Sequence, residues 1–65
     1  MVEHGIISSI KDHTAVIRAD SGIMTLPLNI PDRFINVDEQ HRVKTGQGVI
    51  FAYFEDGTGS ILERM

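Results

Sequence analysis

VKTGQGVIFAYFEDGTGSI, residues 43–61, reads as two short strands around a glycine-rich turn. Asp56-Gly57-Thr58-Gly59 is the turn, because each of these residues tolerates turn dihedrals. Gly48–Glu55 before it and Ser60–Arg64 after it are the strands. Val49, Phe51 and Tyr53 alternate with Ile50, Ala52 and Phe54, so one face of the first strand points to a core and the other is also apolar. A strand apolar on both faces is usually covered on both sides. The expected cover is the C-terminal residues or the 29–37 loop. Without it, an exposed apolar patch marks a partner surface.

Similar punctuation divides the rest of the chain. Lys11-Asp12-His13, Asp20-Ser21-Gly22, Pro31-Asp32 and Thr45-Gly46-Gln47-Gly48 are turn signals separated by runs rich in Ile, Val, Phe and Thr. The first strand is expected at Gly5–Lys11. Ile7 and Ile10 both face inward there only if the strand bulges, since simple alternation has period two. The second is expected at Thr14–Asp20, with Ala15, Ile17 and Ala19 on one face and Thr14, Val16 and Arg18 on the other. Gly22 supplies a positive φ for the hairpin turn that follows. The third strand is expected at Ile23–Leu28, at an edge or ending at Pro27, which has no backbone donor. Pro31 opens a short helical turn, Pro31–Asn36, and residues 37–43 form a polar connection. The result is an all-β, small five-stranded antiparallel Greek-key barrel in one domain, residues 1–65.

The totals narrow the function classes. A chain of 65 residues buries roughly 60% of its unfolded surface, and its core supplies about 3–5 kcal/mol of net stability. There is no cysteine, which excludes disulfides, thiolate metal sites and cysteine nucleophiles and suits a reducing compartment. MVEHGIISSI lacks a basic segment followed by a long apolar run, so no secretory signal is expected. The longest apolar run, VIFAYF at 49–54, is far short of the ~20 residues of a membrane span. A cytoplasmic protein with no membrane association is expected. Nine acidic residues oppose six basic ones, for a formal charge of -3. This balance weighs against tight phosphate binding, although a local basic patch overrides net charge.

No catalytic constellation emerges. His4, His13 and His41 have no paired metal-ligand spacing and read as surface residues, so no metal is expected. A phosphate-cradling loop follows a strand and opens a helix, and only six residues follow Gly59. Ser8, Ser9 and Ser60 lie in no nucleophile motif. Glu55 and Asp56 are adjacent at a strand end, so their side chains diverge. The chain is read as a non-enzyme without cofactors.

From Gly5 to about Arg64, the chain resembles the cold-shock domain, an oligonucleotide-binding (OB) barrel of similar length. The resemblance is best over Val43-Lys44-Thr45-Gly46-Gln47-Gly48-Val49-Ile50-Phe51, where the family has a hydrophobic residue, Lys, an acid, Gly, Gln and alternating hydrophobics. Gly5-Ile6-Ile7, the Asp-Ser-Gly turn and Gly59 also fall in place. The base-stacking signature departs from the family. A Gly-aromatic-Gly-Phe-Ile pattern maps onto His13-Thr14-Ala15-Val16-Ile17, where only the Ile matches. A Val-Phe-Val-His-Phe pattern maps onto Ile23-Met24-Thr25-Leu26-Pro27, and a first-strand Trp onto Ser9. Every expected stacking aromatic is absent, and stacking is worth about 1–3 kcal/mol per base. A second resemblance, to bacterial translation initiation factor one and related ribosomal-protein RNA-binding repeats, shares the barrel and relies less on a fixed aromatic pair.

The resemblance implies an outward face of Ser8, Ser9, Thr14, Val16, Arg18, Met24, Leu26 and Pro27. Two functions follow as expectations. In one, a divergent cold-shock-like domain binds single-stranded RNA or DNA weakly. Lys11, Arg18, Arg42 and Lys44 contact phosphates, and Val16, Met24 and Leu26, with Thr14 beside them, meet bases. Arg33 and His41 bracket the same long loop, where Asp38 and Glu39 balance the charge. In the other, the barrel is a protein-interaction module, a homodimer or a docked partner, that buries Met24 and Leu26 or Ile50 and Phe54.

Overall fold

The computed structural model describes residues 1–65. Alternation of small or branched apolar residues with polar ones builds five strands: β1 (Val2–Lys11), β2 (Thr14–Ala19), β3 (Leu28–Asn29), β4 (Gly48–Tyr53) and β5 (Gly59–Arg64). They close into a barrel in the order β1-β2-β3-β5-β4, with β4 returning to β1. This is an OB-like architecture, and closure leaves few strand edges open. Two single-turn 3₁₀ helices, Asp32–Phe34 and Glu39–His41, lie in the long connection from β3 to β4.

The inward face agrees with the alternation. Ile7, Ala15, Ile17, Ala19, Val49, Phe51 and Ile61 are buried. The β1–β2 register shifts between Ile7 and Ser9, which is the expected bulge, and it brings Ile10 against the core. Tyr53 is half-buried and stacks on Phe51 with ring centroids 5.8 Å apart. The turn after β2 holds Gly22 at φ +95°.

Three expectations are corrected. First, the sheet is mixed, because β3 and β5 run parallel and pair at Asn29 and Ser60. Second, the third strand is not continuous over Ile23–Leu28. Met24 forms an isolated antiparallel bridge with Arg18, and β3 proper starts at Leu28. The ladder breaks for two reasons. The Ile17 N–H donates to the Thr25 hydroxyl at 3.0 Å rather than to the Thr25 carbonyl, and Pro27 has no N–H to give. Third, the 29–37 loop does not cover the outer face of β4. Its Ile30 and Phe34 are buried with Val43, and the Val43 N–H donates to the Phe34 carbonyl at 3.0 Å, so this segment belongs to the core. At the C-terminus, β5 pairs along β4 as far as Arg64, and Met65 follows with its Cβ 3.6 Å from where a Gly48 Cβ would sit. β1 also begins earlier than expected, at Val2, because His4 and Val2 pair with Ile50 and Ala52 of β4.

Candidate nucleic-acid interface

The register of β1 and β2 lays out the outward face. Gly48 pairs with Ile6, Ile6 with Arg18, and Arg18 with Met24. These residues form one row across the barrel. Strands are about 4.8 Å apart, so the row is about 14 Å wide. Ile6, Arg18 and Met24 are all exposed. One step along β2, half-buried Val16 pairs with exposed Ser9. A shallow depression of about 280 Å³ opens between Ile6, Arg18, Ala19, Asp20 and Gly22.

The basic side chains divide into two sets. Arg33 donates to the Leu62 carbonyl at 2.5 Å, Arg42 to the Val37 carbonyl at 3.1 Å and Arg64 to the Gln40 carbonyl at 3.3 Å. These three brace the long connection. Lys11, Arg18 and Lys44 make no side-chain hydrogen bond or ion pair, since the two ion pairs of the molecule are His4–Asp20 and His41–Asp38. Lys11 ends β1 at the β1–β2 turn, where Asp12 takes φ +55°. Thr14 is committed to that turn, its hydroxyl donating to the Lys11 carbonyl at 2.9 Å. Lys44 lies on the opposite flank of β1 from Arg18: the Gly46 N–H donates to the Ile7 carbonyl at 2.8 Å, and Ile7 N–H donates to Gln47. Arg18 and Lys44 therefore flank the middle of β1.

The expected sites separate on the barrel. Lys11, Val16, Arg18, Met24 and Leu26 belong to the β1–β2 side. Ile50 sits opposite His4 on β4, on the other side of β1 and β2 from Met24. Phe54, 67% exposed, stands at the β4–β5 turn, whose Gly57 lies against the Leu26 side chain. Sequence reasoning missed Ile6. The signal was its position between inward Gly5 and inward Ile7, which turns it outward.

Acidic groups rim the face. Asp20 follows β2, with Oδ2 3.8 Å from His4 Nδ1. Glu55 and Asp56 are exposed at the β4–β5 turn. The Thr58 hydroxyl and N–H both donate to Asp56 Oδ1, at 2.7 and 3.0 Å, and hold that carboxyl below its usual range. Asp38 is likewise lowered, first by its hydrogen bond to the His41 ring at 2.5 Å. On the far side of β1, the Tyr53 hydroxyl donates to Glu3 Oε2 at 2.7 Å, which raises the phenol. No group of three or more His, Cys, Asp or Glu side chains is placed to hold a metal ion. No helix is long and apolar enough to cross a membrane.

No family model and no curated protein matches the chain. Among solved structures, it is similar to YjeQ from Thermotoga maritima, at 17% identity with a TM-score of 0.75. The match covers 100% of this chain and 23% of that one, so the chain spans under a quarter of that protein's length. At this identity the likeness shows the fold alone, an OB-like barrel.

Proposed function

We propose that the chain is a small, non-enzymatic domain that binds single-stranded RNA or DNA weakly across β1 and β2, a divergent relative of the cold-shock barrels working in the cytoplasm. One observation carries this reading: the cations left without side-chain partners, Lys11, Arg18 and Lys44, lie at the end and on the two flanks of β1, whose outward Ile6 shares a row with Arg18 and Met24. OB barrels bind oligonucleotides on the face of their second and third strands, between the β1–β2 and β4–β5 loops. In this chain the first of those loops carries Lys11. The second carries Glu55 and Asp56, which repel phosphate. The strand therefore runs from Lys11 toward Arg18 and Lys44 and keeps away from the β4–β5 turn. Val16, Ile6, Met24 and Leu26 contact bases by apolar packing, and Arg42 fixes the loop that carries Lys44.

Salt titration tests the reading. Three phosphate contacts on a single strand give a slope of log K against log salt of about −2, at ~0.7 per contact. Affinity for fluorescein-labelled oligo(U) or oligo(dT) then falls about twentyfold between 50 and 200 mM salt. Arg18→Ala lowers the slope to roughly −1.4. Absence of binding at 20 mM salt, or a slope near zero, overturns it.

A further inference from the structure

The broken third strand leaves an open sheet edge. The Ala19 N–H donates to the Ile23 carbonyl at 2.9 Å, and the Thr25 N–H to the Ile17 carbonyl at 2.9 Å. These two bonds bracket the Arg18–Met24 bridge, which is therefore a non-hydrogen-bonded antiparallel pair. In such a pair the backbone groups of Met24 point away from β2. Neither the N–H nor the C=O of Met24 has a partner in the chain, and the same holds for Leu26. β5 does not fill the vacancy, because it joins this strand only at Ser60, opposite Asn29. Ile23, Met24 and Leu26 are 63%, 50% and 62% exposed. Unpaired backbone groups at alternate residues, flanked by exposed aliphatic side chains, form a template for another strand.

We propose that Ile23–Leu26 is a docking edge for an extended peptide of another protein, which adds as a strand and carries aliphatic residues between basic ends. The backbone pattern calls for a strand, since Met24 and Leu26 offer donor–acceptor pairs about 6.7 Å apart, the two-residue repeat of an extended chain. Charge sets the ends. Asp20 begins the turn that leads into Ile23. At the other end Gly57, next to Asp56 and Glu55, lies against the Leu26 side chain. Acidic groups at both ends of a four-residue edge, about 13 Å long, complement a peptide with lysines outside a four-residue core in which aliphatic residues alternate with β-branched polar ones. The same acids disfavour a phosphate backbone along this edge. The edge shares the Met24 and Leu26 side chains with the face proposed for nucleic acid but engages their backbone groups, so a peptide strand and an oligonucleotide compete for it and the two readings are tested separately.

The test uses the full chain, the probe peptide acetyl-KTVTVK-amide and ¹⁵N-labelled protein. The peptide is expected to shift the Met24 and Leu26 amide resonances downfield and to slow their hydrogen exchange at least tenfold. Met24→Pro removes one outward N–H and leaves both bonds to β2 intact. It is expected to weaken binding at least tenfold while the unfolding midpoint stays within a few degrees. A peptide with glutamates in place of the lysines is expected to bind at least tenfold more weakly. The proposal is overturned by no amide shifts at millimolar peptide, by equal binding by folded Met24→Pro, or by protection of these amides by oligo(U) instead of the peptide. Concentration-dependent protection without any peptide also overturns it, since the occupant would then be a second copy of the chain.

Discussion

Gly5→Ala is expected to destabilise the barrel, although the same substitution at Gly48 is not. An alanine Cβ at position 5 would sit 2.6 Å from the Arg18 carbonyl oxygen, 2.6 Å from Ile17 Cγ2 and 3.0 Å from Phe51 Cε1. Ordinary van der Waals contact begins near 3.4 Å. The chain cannot retreat at this point, because Gly5 is paired with Ala19 on one side and Val49 on the other. The obstacles are a backbone carbonyl and the branched side chain of buried Ile17, neither of which moves freely. Overpacking of this kind costs about 1–3 kcal/mol. Reduced chain entropy in the unfolded state returns about 0.4–1 kcal/mol, so sterics win. A net loss near 1.5 kcal/mol removes a third to a half of the stability of so small a core. It lowers the melting midpoint by about 6–12 °C. At Gly48 a Cβ meets nothing closer than Met65 Cβ at 3.6 Å, so only the entropic gain remains and the midpoint is expected to hold or rise. Thermal unfolding followed by circular dichroism reads both variants side by side. Equal midpoints for Gly5→Ala and the parent chain would refute the close approach of β1 to β2.

Two further outcomes follow from the core and the loop. Phe51 is fully buried and stacks on Tyr53, and Phe→Ala in a core costs about 3–5 kcal/mol. That equals the whole net stability expected of the domain, so Phe51→Ala is expected to lose amide dispersion in a proton–nitrogen NMR spectrum at 25 °C. A dispersed, parent-like spectrum would contradict the assignment of Phe51 to the centre of the core. Asp38 is held below its ordinary value of 3.8, chiefly by the hydrogen bond to His41. A depressed folded-state carboxylate contributes above its unfolded pKa, and the contribution fades as pH falls through the lowered value. A carbon NMR titration is therefore expected to place the Asp38 midpoint under 3.8, and His41→Ala to raise it. An unchanged midpoint in that variant would remove the pair.

Most of the barrel is legible in short-range patterns. Ala15, Ile17 and Ala19 announce the inward face of β2 because a two-residue repeat survives in any half-buried strand. The bulge in β1 follows from Ile7 and Ile10 lying three residues apart. The limits of β1 were less legible. Glu3 and His4 look like a polar leader, yet they pair with β4 because strand hydrogen bonds use backbone, not side chains. The third strand failed for a reason also written in the chain. Thr25 carries a hydroxyl that competes for a ladder donor, and Pro27 follows two residues later. Propensity alone counted Ile23–Leu28 as one run. The candidate face was read in part. Arg18 and Lys11 fall where alternation places them, but nothing local distinguishes Arg42, committed to the Val37 carbonyl, from unpartnered Lys44. That distinction depends on how the 37–43 segment folds back, which no periodicity records.

The aromatic residues explain why a barrel of this kind would bind nucleic acid weakly. The chain has three Phe, one Tyr and no Trp. Phe34 and Phe51 are buried and Tyr53 packs on the core, so three of the four are committed to holding a small domain together. Phe54 alone is exposed, and it is followed by Glu55 and Asp56. A base stacked there would bring its phosphates to two carboxylates, within a screening length of about 8 Å at physiological salt. The β1–β2 face has the opposite balance, cations without aromatics. A strand bound there keeps its electrostatic contacts and forgoes the roughly 1–3 kcal/mol that each stacked base contributes. Its affinity then rests on three phosphate contacts and aliphatic packing, which are insensitive to base identity. The charge of -3 matters little at contact, because groups beyond a screening length are damped. It does remove the long-range attraction that speeds association. Cations on one face and a bare, acid-flanked strand edge beside it thus favour different partners. A chain of this size holds both because one broken ladder exposes the edge without opening the core.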